Sequence, residues 1–169
     1  DVVFGPTDNF SVAMWVKHGS LVSGLSGLYS GSNDFTNIHA GWNVLYFPLG
    51  GLLSASVKGS GVSGTEVSAA VAATTDWRHI VITVNRAGSL KIYIDGTLGD
   101  SKDVSGLAGT IDSGRPTNIG QDGDGTVGFE FQGGLLVDEY AIWRRELTAQ
   151  EVQDIHTLGQ NNQPILTPS

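Results

Sequence analysis

The stretch DWRHIVITVNRAGSLKIYIDG, residues 76–96, contains two runs in which apolar residues recur at every second position. The recurring positions are Ile80, Ile82, Val84, Leu90, Ile92 and Ile94. A period of two is typical of strands that bury one face, and the short glycine-containing connection at 86–89 predicts a hairpin between the two runs. The pair Asp95-Gly96 predicts a second tight turn, into a third strand over 97–104. The stretch therefore indicates an antiparallel meander.

The same alternation continues outside this stretch. At 11–17, Val12, Met14 and Val16 share one face. Glycine, with 24 of the 169 residues, separates most of the other strand candidates. These candidates are 2–4, the twenties to Tyr29, 42–47, 52–57, 67–72, 117–120 and 135–145. So many short strands predict an all-β fold: a two-sheet antiparallel β-sandwich or jelly roll in which each sheet has one buried face.

One short C-terminal helix is predicted after the last strand. Thr148 and Glu151 have the spacing of a capping box, and Leu147 and Val152 have that of a hydrophobic staple. The apolar stripe of this helix is Val152, Ile155 and Leu158. Gly159 is placed as the C-terminal cap glycine. We therefore expect one domain over 1–159, followed by a polar tail or linker over 160–169.

Charge and composition exclude several classes of function. Nine Lys and Arg against 17 Asp and Glu give a net charge of −8. Binding to nucleic acid or to an anionic membrane surface needs a basic stripe, so neither is expected, whereas neutral sugars, cations and basic partners remain open. No apolar run approaches the roughly 18 residues needed for membrane insertion. The chain has no cysteine, so disulfides and thiolate chemistry are excluded.

Four blocks, in order along the chain, resemble the laminin-G-like domains of the concanavalin A-like jelly-roll superfamily. They are 10–17, the tryptophan–histidine strand and hairpin at 77–96, the Ile-Gly strand at 118–120, and GLLVDEYAIW at 134–143 with the helix start that follows. The resemblance implies a jelly roll and a ligand-binding module, often attached to secreted polysaccharide-active enzymes or adhesins. Many such domains carry one calcium ion. Because one fold serves many functions, the function has to be argued from the site.

Calcium is the expected cofactor, in a structural role, and Asp138 is its expected ligand. The resemblance places a calcium ligand at this position, and an aspartate within an apolar strand is destabilising unless it is paired or coordinated. A hydrogen bond to a neighbouring loop is the alternative. The Asp-Gly alternation at 121–125 resembles part of a calcium loop, but no complete calcium-binding pattern is present. This segment is also typical of a plain turn, or of a loop whose Asp122 contacts sugar hydroxyls.

A sugar site is predicted from the stretch 33–47, which mixes aromatic residues with carboxylates and amides. Sugars stack their apolar ring faces on aromatic side chains, while carboxylates and amides bind the hydroxyl groups. Trp42 or Tyr46 would stack on the sugar, and Asp34, Asn37 or Asp122 would accept hydroxyl hydrogen bonds. The alternative is that Trp42 and Tyr46 cover the core.

No catalytic constellation is evident. Retaining glucanases of this superfamily carry alternating carboxylates along one strand, whereas Asp138 and Glu139 are adjacent and are expected to point to opposite faces. No nucleophile elbow is present. Trp15, Trp77 and His79 lie in the family blocks and are expected to be structural.

The sequence thus predicts a non-catalytic, lectin-like carbohydrate-binding module, extracellular or on the cell surface, with flanking domains in a longer chain. Its partner would be a polysaccharide or another glycan. The alternatives are an extracellular protein-interaction or adhesion module and a structural spacer. An aromatic residue flanked by carboxylates and amides in a groove favours sugar binding, and an exposed apolar patch without a polar cleft favours a protein partner.

Overall fold

Nine strands and one helix form the part of the chain that the computed structural model describes, which is residues 2–19, 28–31, 40–47, 51–61, 64–71, 74–120 and 134–165. The strands are β1 (Phe10–His18), β2 (Leu28–Gly31), β3 (Gly41–Phe47), β4 (Leu52–Lys58), β5 (Thr65–Ala70), β6 (Arg78–Val84), β7 (Ser89–Ile94), β8 (Thr97–Asp103) and β9 (Leu135–Trp143). The helix, α1, spans Ala149–Gln160.

The strands form two antiparallel sheets. The order is β8-β7-β6-β1-β9 in the five-stranded sheet and β2-β3-β4-β5 in the four-stranded sheet. The predicted meander is confirmed as β6-β7-β8, with Ile80 opposite Ile94 and Val84 opposite Leu90. The predicted all-β sandwich with one short helix is confirmed.

The main core lies between the sheets, and alternation along the strands fills it. Val12, Met14 and Val16 of β1 face inwards, as do the even-numbered residues 80, 82 and 84 of β6. The segment 2–4, predicted as a strand, is irregular, and 117–120 contains only a single bridge residue. Phe4 nevertheless belongs to the core because its ring stacks on Phe10, with the ring centroids 4.1 Å apart.

The helix packs on the outer face of the five-stranded sheet. A second apolar cluster joins the two; its buried members are Ala13, Val81, Tyr93, Leu147, Val152 and Ile155. Ser11 ties the chain leading into the helix to β1, since its hydroxyl donates to the Arg145 carbonyl and accepts from the Leu147 amide, both at 2.9 Å. The outer face of this sheet is therefore partly covered by the helix.

Both ends of the helix have defined caps. The predicted capping box is present, because Thr148 accepts from the Glu151 amide and the Glu151 carboxylate accepts from the Thr148 amide. The predicted end is wrong: Gly159 lies within the last turn and Asn161 is the C-cap. Asn162 takes the left-handed conformation (φ 53°), and the Gln163 amide bonds the Leu158 carbonyl at 2.9 Å, as in a Schellman motif.

Within the described residues, no helix has the length and apolar character needed to cross a membrane.

Candidate functional site

Three of the five predicted sugar-binding residues lie outside the described residues. These are Asp34, Asn37 and Asp122, which fall in 32–39 and 121–133. Their assignment to a sugar site stays a prediction.

The other two, Trp42 and Tyr46, are core residues. Both alternate with Val44 on the inward face of β3, and Trp42 is 0% exposed and Tyr46 4%. The Trp42 ring packs at 5.8 Å from Phe10, and Tyr46 lies 4.9 Å from the His18 ring. A ring enclosed in this way presents no face to a sugar, so the predicted stacking role of these two residues is corrected: they cover the core, as the alternative interpretation of the sequence had it.

A different set of residues forms an open groove of about 860 Å³. It lies on the outer face of the five-stranded sheet, at the C-terminal end of the helix. The lining residues come from β1, the start of β6, the β7–β8 turn, β9 and the helix end; they are Trp15, Trp77, Arg78, Asp95, Asp138, Glu139, His156, Gly159, Gln160 and Asn162. The volume lies within the range of roughly 300–1,000 Å³ that is usual for ligand sites.

A β-bulge in β9 brings two carboxylates to this groove. Ala13 pairs with Ala141 and Trp15 with Asp138, so two residues of β9 oppose the single residue Met14. Glu139 takes the left-handed conformation with φ 50°. The expectation that Asp138 and Glu139 point to opposite faces is therefore wrong, because the extra residue interrupts the alternation and both side chains line the groove.

The aromatic wall of the groove is formed by Trp15, Trp77 and His156, and His79 is buried behind Trp15. Trp77 precedes β6 and is 39% exposed. Trp15 lies against His156 and His79, with ring centroids at 5.5 and 5.1 Å. Gly159 lets the helix approach the indole closely, since a Cβ there would be 2.3 Å from Trp15 Nε1. Trp15 is thus held in place, while Trp77 presents its ring to solvent.

Charge in the groove is predominantly negative. The Arg78 guanidinium pairs with the Asp95 carboxylate, which also accepts from the His79 amide at 3.0 Å. Burial, and secondly the charge of Asp138, raise the pKa of Glu139. Asp138 Oδ1 accepts from the Glu139 amide at 2.8 Å, and within the described residues neither of these two carboxylates has a cationic partner.

His79 packs behind this wall, against Trp15 and His156, and does not line the groove. It is buried, and burial followed by the charge of His156 lowers its pKa from 6.5 to about 4, although Asp95 acts in the opposite direction. Neither ring nitrogen has a hydrogen-bond partner among the described residues. His79 is consequently linked to no nucleophile and no carboxylate through its ring, and its predicted structural role agrees with this environment.

Three side chains of the groove also carry buried polar atoms that have no hydrogen-bond partner in the part of the chain that the structure describes. They are Trp15 Nε1, Arg78 Nε and Glu139 Oε2. A buried polar atom left in this state costs about 1–3 kcal/mol unless water or a ligand satisfies it.

The structure places the predicted calcium ligand, Asp138, at the groove surface. Calcium takes six to eight oxygen ligands, so Asp138 needs several partners. Within the described ranges, no three histidine or carboxylate side chains come together as a metal-binding group. Backbone carbonyls, or residues outside these ranges, would have to complete the coordination.

Comparison with known proteins places this fold in a described family. The model of the concanavalin A-like lectin/glucanases superfamily, a laminin-G type, matches residues 1–153. Among curated proteins, Botulinum neurotoxin type X of Clostridium botulinum is 27% identical over 164 residues, which are 94% of this chain and 12% of the toxin. The chain therefore spans about one eighth of that relative.

Solved structures of toxin binding domains share the fold. The binding domain of Botulinum neurotoxin serotype G superposes with a TM-score of 0.72 at 20% identity, covering 94% of this chain and 38% of that one. The serotype D ligand-binding domain, solved with N-acetylneuraminic acid, gives 0.68 at 18%, covering 92% and 38%. The domain of Botulinum neurotoxin DC, solved with rat synaptotagmin II, gives 0.66 at 21%, covering 89% and 36%.

Proposed function

The chain belongs to the concanavalin A-like lectin/glucanases superfamily, and from this premise we propose that it is a non-catalytic carbohydrate-binding module whose site is the groove at Trp77. In this proposal a sugar ring stacks on the exposed face of Trp77. Asp138 and the amides of Gln160 and Asn162 bind its hydroxyl groups.

The single observation that carries this proposal is the exposure of Trp77 inside a polar groove. Tryptophan is highly buried on average, yet 39% of Trp77 is exposed beside carboxylates and amides. This is the combination that the sequence analysis required of a sugar site. An indole face supplies a flat apolar surface, and the polar groups around it match the hydroxyl rim of a sugar.

The chemistry of the groove supports binding rather than catalysis. The ring nitrogens of His79 have no partner, and its low pKa keeps it neutral near pH 7. Arg78 and Asp95 neutralise each other in an ion pair. Among the described residues of the groove, these contacts provide no activated nucleophile, and we propose binding as the role of this surface.

A protein partner is the second candidate function. It is favoured by one finding, that a binding domain of the same fold was solved with rat synaptotagmin II. For this chain the polar character of the groove favours a glycan, and the complex of a related domain with N-acetylneuraminic acid is in keeping with it. Both likenesses are below 25% identity, so they support the fold and leave the ligand to experiment.

The curated relative is much longer than this chain, which bears on the kind of protein that contains the domain. Because the chain spans 12% of the curated toxin it matches, we propose that it works as one domain of a larger extracellular protein, an adhesin, toxin or polysaccharide-active enzyme. Binding would raise the local concentration of the neighbouring domains at a glycan surface. Calcium bound through Asp138 would hold the loops in place, and it too stays a proposal.

The test is a glycan-binding screen with three proteins: the wild type, Trp77→Ala and Leu98→Ala. Leu98 is an exposed apolar residue of β8 that does not line the groove, so its variant controls for loss of exposed apolar surface. Titration calorimetry with the best ligand then gives affinities. We expect Trp77→Ala to lose at least tenfold in affinity, about 1.4 kcal/mol, and Leu98→Ala to bind as the wild type.

Two results would count against the proposal. The first is that the folded wild type binds no glycan, and the second is that Trp77→Ala and Leu98→Ala bind equally well. The first result would favour a protein partner or a structural spacer, and the second would place the glycan site away from Trp77.

A further inference from the structure

We propose that the groove prefers glycans whose sugars carry a protonated amine, such as glucosamine units, over neutral and anionic glycans. This inference rests on the proposed function, since it names the class of sugar that the groove at Trp77 would select. It adds a specificity element, the pair Asp138 and Glu139, to the stacking surface.

The first support is the charge of the groove. Arg78 is its only Lys or Arg among the lining residues, and it is already paired with Asp95. Asp138 and Glu139 have no cationic partner within the described residues, so the lining carries two uncompensated carboxylates. An anionic sugar entering this groove would meet like charges, whereas an ammonium group would meet opposite ones.

The second support is the helix end. Gly159, Gln160 and Asn162, at the C-terminus of α1, form one side of the groove, and the last turn of the helix contains no basic residue. The C-terminal end of a helix carries a partial negative charge, which attracts cations. The helix end and the β9 carboxylates, which belong to two different elements, thus both favour a positively charged ligand.

The third support is the match between donors and acceptors. An ammonium group has three N–H donors and no acceptor. The carboxylates of Asp138 and Glu139 line the groove, and the buried Oε2 atom of Glu139 has no hydrogen-bond partner among the described residues. Charge-assisted hydrogen bonds to carboxylates are stronger than those to neutral hydroxyls, so exchanging a hydroxyl or acetamide for an ammonium group raises affinity here.

The test compares three oligosaccharide probes of equal length. These are a fully deacetylated glucosamine oligomer, the same oligomer N-acetylated, and a sialylated oligosaccharide. Titrations are run in EDTA, so that no calcium occupies the carboxylates, and at a pH at which the free amine is protonated. For the wild type we expect the amine form to bind about tenfold more tightly than the acetylated form, which corresponds to one charge-assisted hydrogen bond.

Variants separate the specificity element from the stacking surface. In Asp138→Asn the side-chain oxygen can still accept from the Glu139 amide, so the bulge is retained while the charge is removed. We expect this variant, and Glu139→Gln, to bring the ratio of the amine-form affinity to the acetylated-form affinity close to one, whatever each loses in absolute affinity. Asp103→Asn is the matched control, because Asp103 is an exposed carboxylate of β8 outside the groove. It should keep the full preference.

The outcomes separate a failure of the amine preference from a failure of carbohydrate binding. If the wild type binds the amine and acetylated forms equally, or if Asp138→Asn and Asp103→Asn behave alike, the inference is overturned while carbohydrate binding stands. If none of these oligosaccharides binds, the inference fails, and carbohydrate binding fails with it only if the glycan screen is also negative. An oligolysine peptide is included as a fourth probe, and peptide binding that survives Trp77→Ala would mean a basic protein partner instead.

Discussion

Trp42 and Trp77 have opposite environments, because the Trp42 ring is fully buried in the core and Trp77 is 39% exposed in the groove. Trp42 follows a glycine and stands among polar residues, which made it resemble a surface residue, but its alternation with Val44 and Tyr46 directs it into the core. Trp77 lies in a family block and precedes β6, where it is 39% exposed, and its structural role stays a prediction. The alternation along β3 therefore indicates the burial of Trp42 better than the polar residues around it in the sequence do.

Alanine substitutions should separate these two environments. Trp42→Ala removes a fully buried ring from the main core and is expected to lower the free energy of unfolding by about 3–5 kcal/mol. Trp77→Ala removes a half-exposed ring and should lower it by about 1 kcal/mol or less. Guanidinium unfolding followed by circular dichroism measures both values. A small loss for Trp42→Ala would contradict its placement in the core.

His79 predicts a dependence of stability on pH. Its pKa is about 4 in the folded protein and 6.5 in the unfolded chain, so only the unfolded chain takes up the proton between these values. The free energy of unfolding should therefore fall by about 3 kcal/mol as the pH falls from 6.5 to about 4, since one pKa unit corresponds to roughly 1.4 kcal/mol. Above pH 6.5 His79 is neutral in both states, so it no longer makes the free energy of unfolding depend on pH.

The variant that tests this effect is His79→Phe. It keeps a ring against Trp15 and His156, while Asp95 stays next to the site, and no hydrogen bond of the imidazole is lost because neither nitrogen has a partner. Urea unfolding across this pH range should show a smaller loss of stability for the variant than for the wild type. Parallel curves for the two proteins would exclude His79 as the titrating group.

At the scale of elements, the sequence predicted the strands of the meander and the start of the helix. Both depend on local signals: alternation for the strands, and the Thr148–Glu151 capping box for the helix. The predicted end of the helix, at Gly159, is wrong because the Schellman motif has Asn162 in the left-handed position, where glycine is more typical. The bulge at Glu139 could not be predicted, since it depends on how β9 pairs with β1.

Gly159 has a role that the sequence alone did not indicate. In an exposed helix, glycine to alanine stabilises by about 0.5–1 kcal/mol. Here the new Cβ would lie 2.3 Å from Trp15 Nε1 and 2.6 Å from Trp15 Cε2, so we expect Gly159→Ala to destabilise the protein and to weaken glycan binding by displacing Trp15. Gln160→Ala, at the exposed neighbouring position, is the stability control. Thermal melts measure both, and a Gly159→Ala variant that melts higher than the wild type would contradict the close contact.

At the scale of the whole molecule, the net charge of −8 and the local charge of the groove have the same sign. The composition predicts no binding to nucleic acid or to an anionic membrane surface, and the carboxylates of the groove place the same sign of charge on one particular surface. The sequence did not locate this surface because its residues come from both ends and the middle of the chain, from Trp15 to Asn162. Only the pairing of β1 with β6 and β9 brings them together.

Calcium binding through Asp138 of β9, which would hold the loops in place, should raise the stability of the whole domain. A ligand that binds only the folded state at a hundred times its dissociation constant adds about 2.7 kcal/mol of stability. For a domain of this size, about 2–4 °C per kcal/mol gives a rise in melting temperature of roughly 5–10 °C in calcium relative to EDTA. Asp138→Asn should abolish the rise and Asp103→Asn should keep it.

The amine and calcium predictions meet at Asp138, and this makes them testable together. A calcium ion bound there would neutralise the carboxylate that an ammonium group needs, so added calcium should reduce the preference for the deacetylated oligomer. The measurement is the ratio of the two oligomer affinities in EDTA and in calcium, with Trp77→Ala confirming that both sugars use the groove. A preference that stays unchanged at a calcium concentration that raises the melting temperature would place the metal away from Asp138.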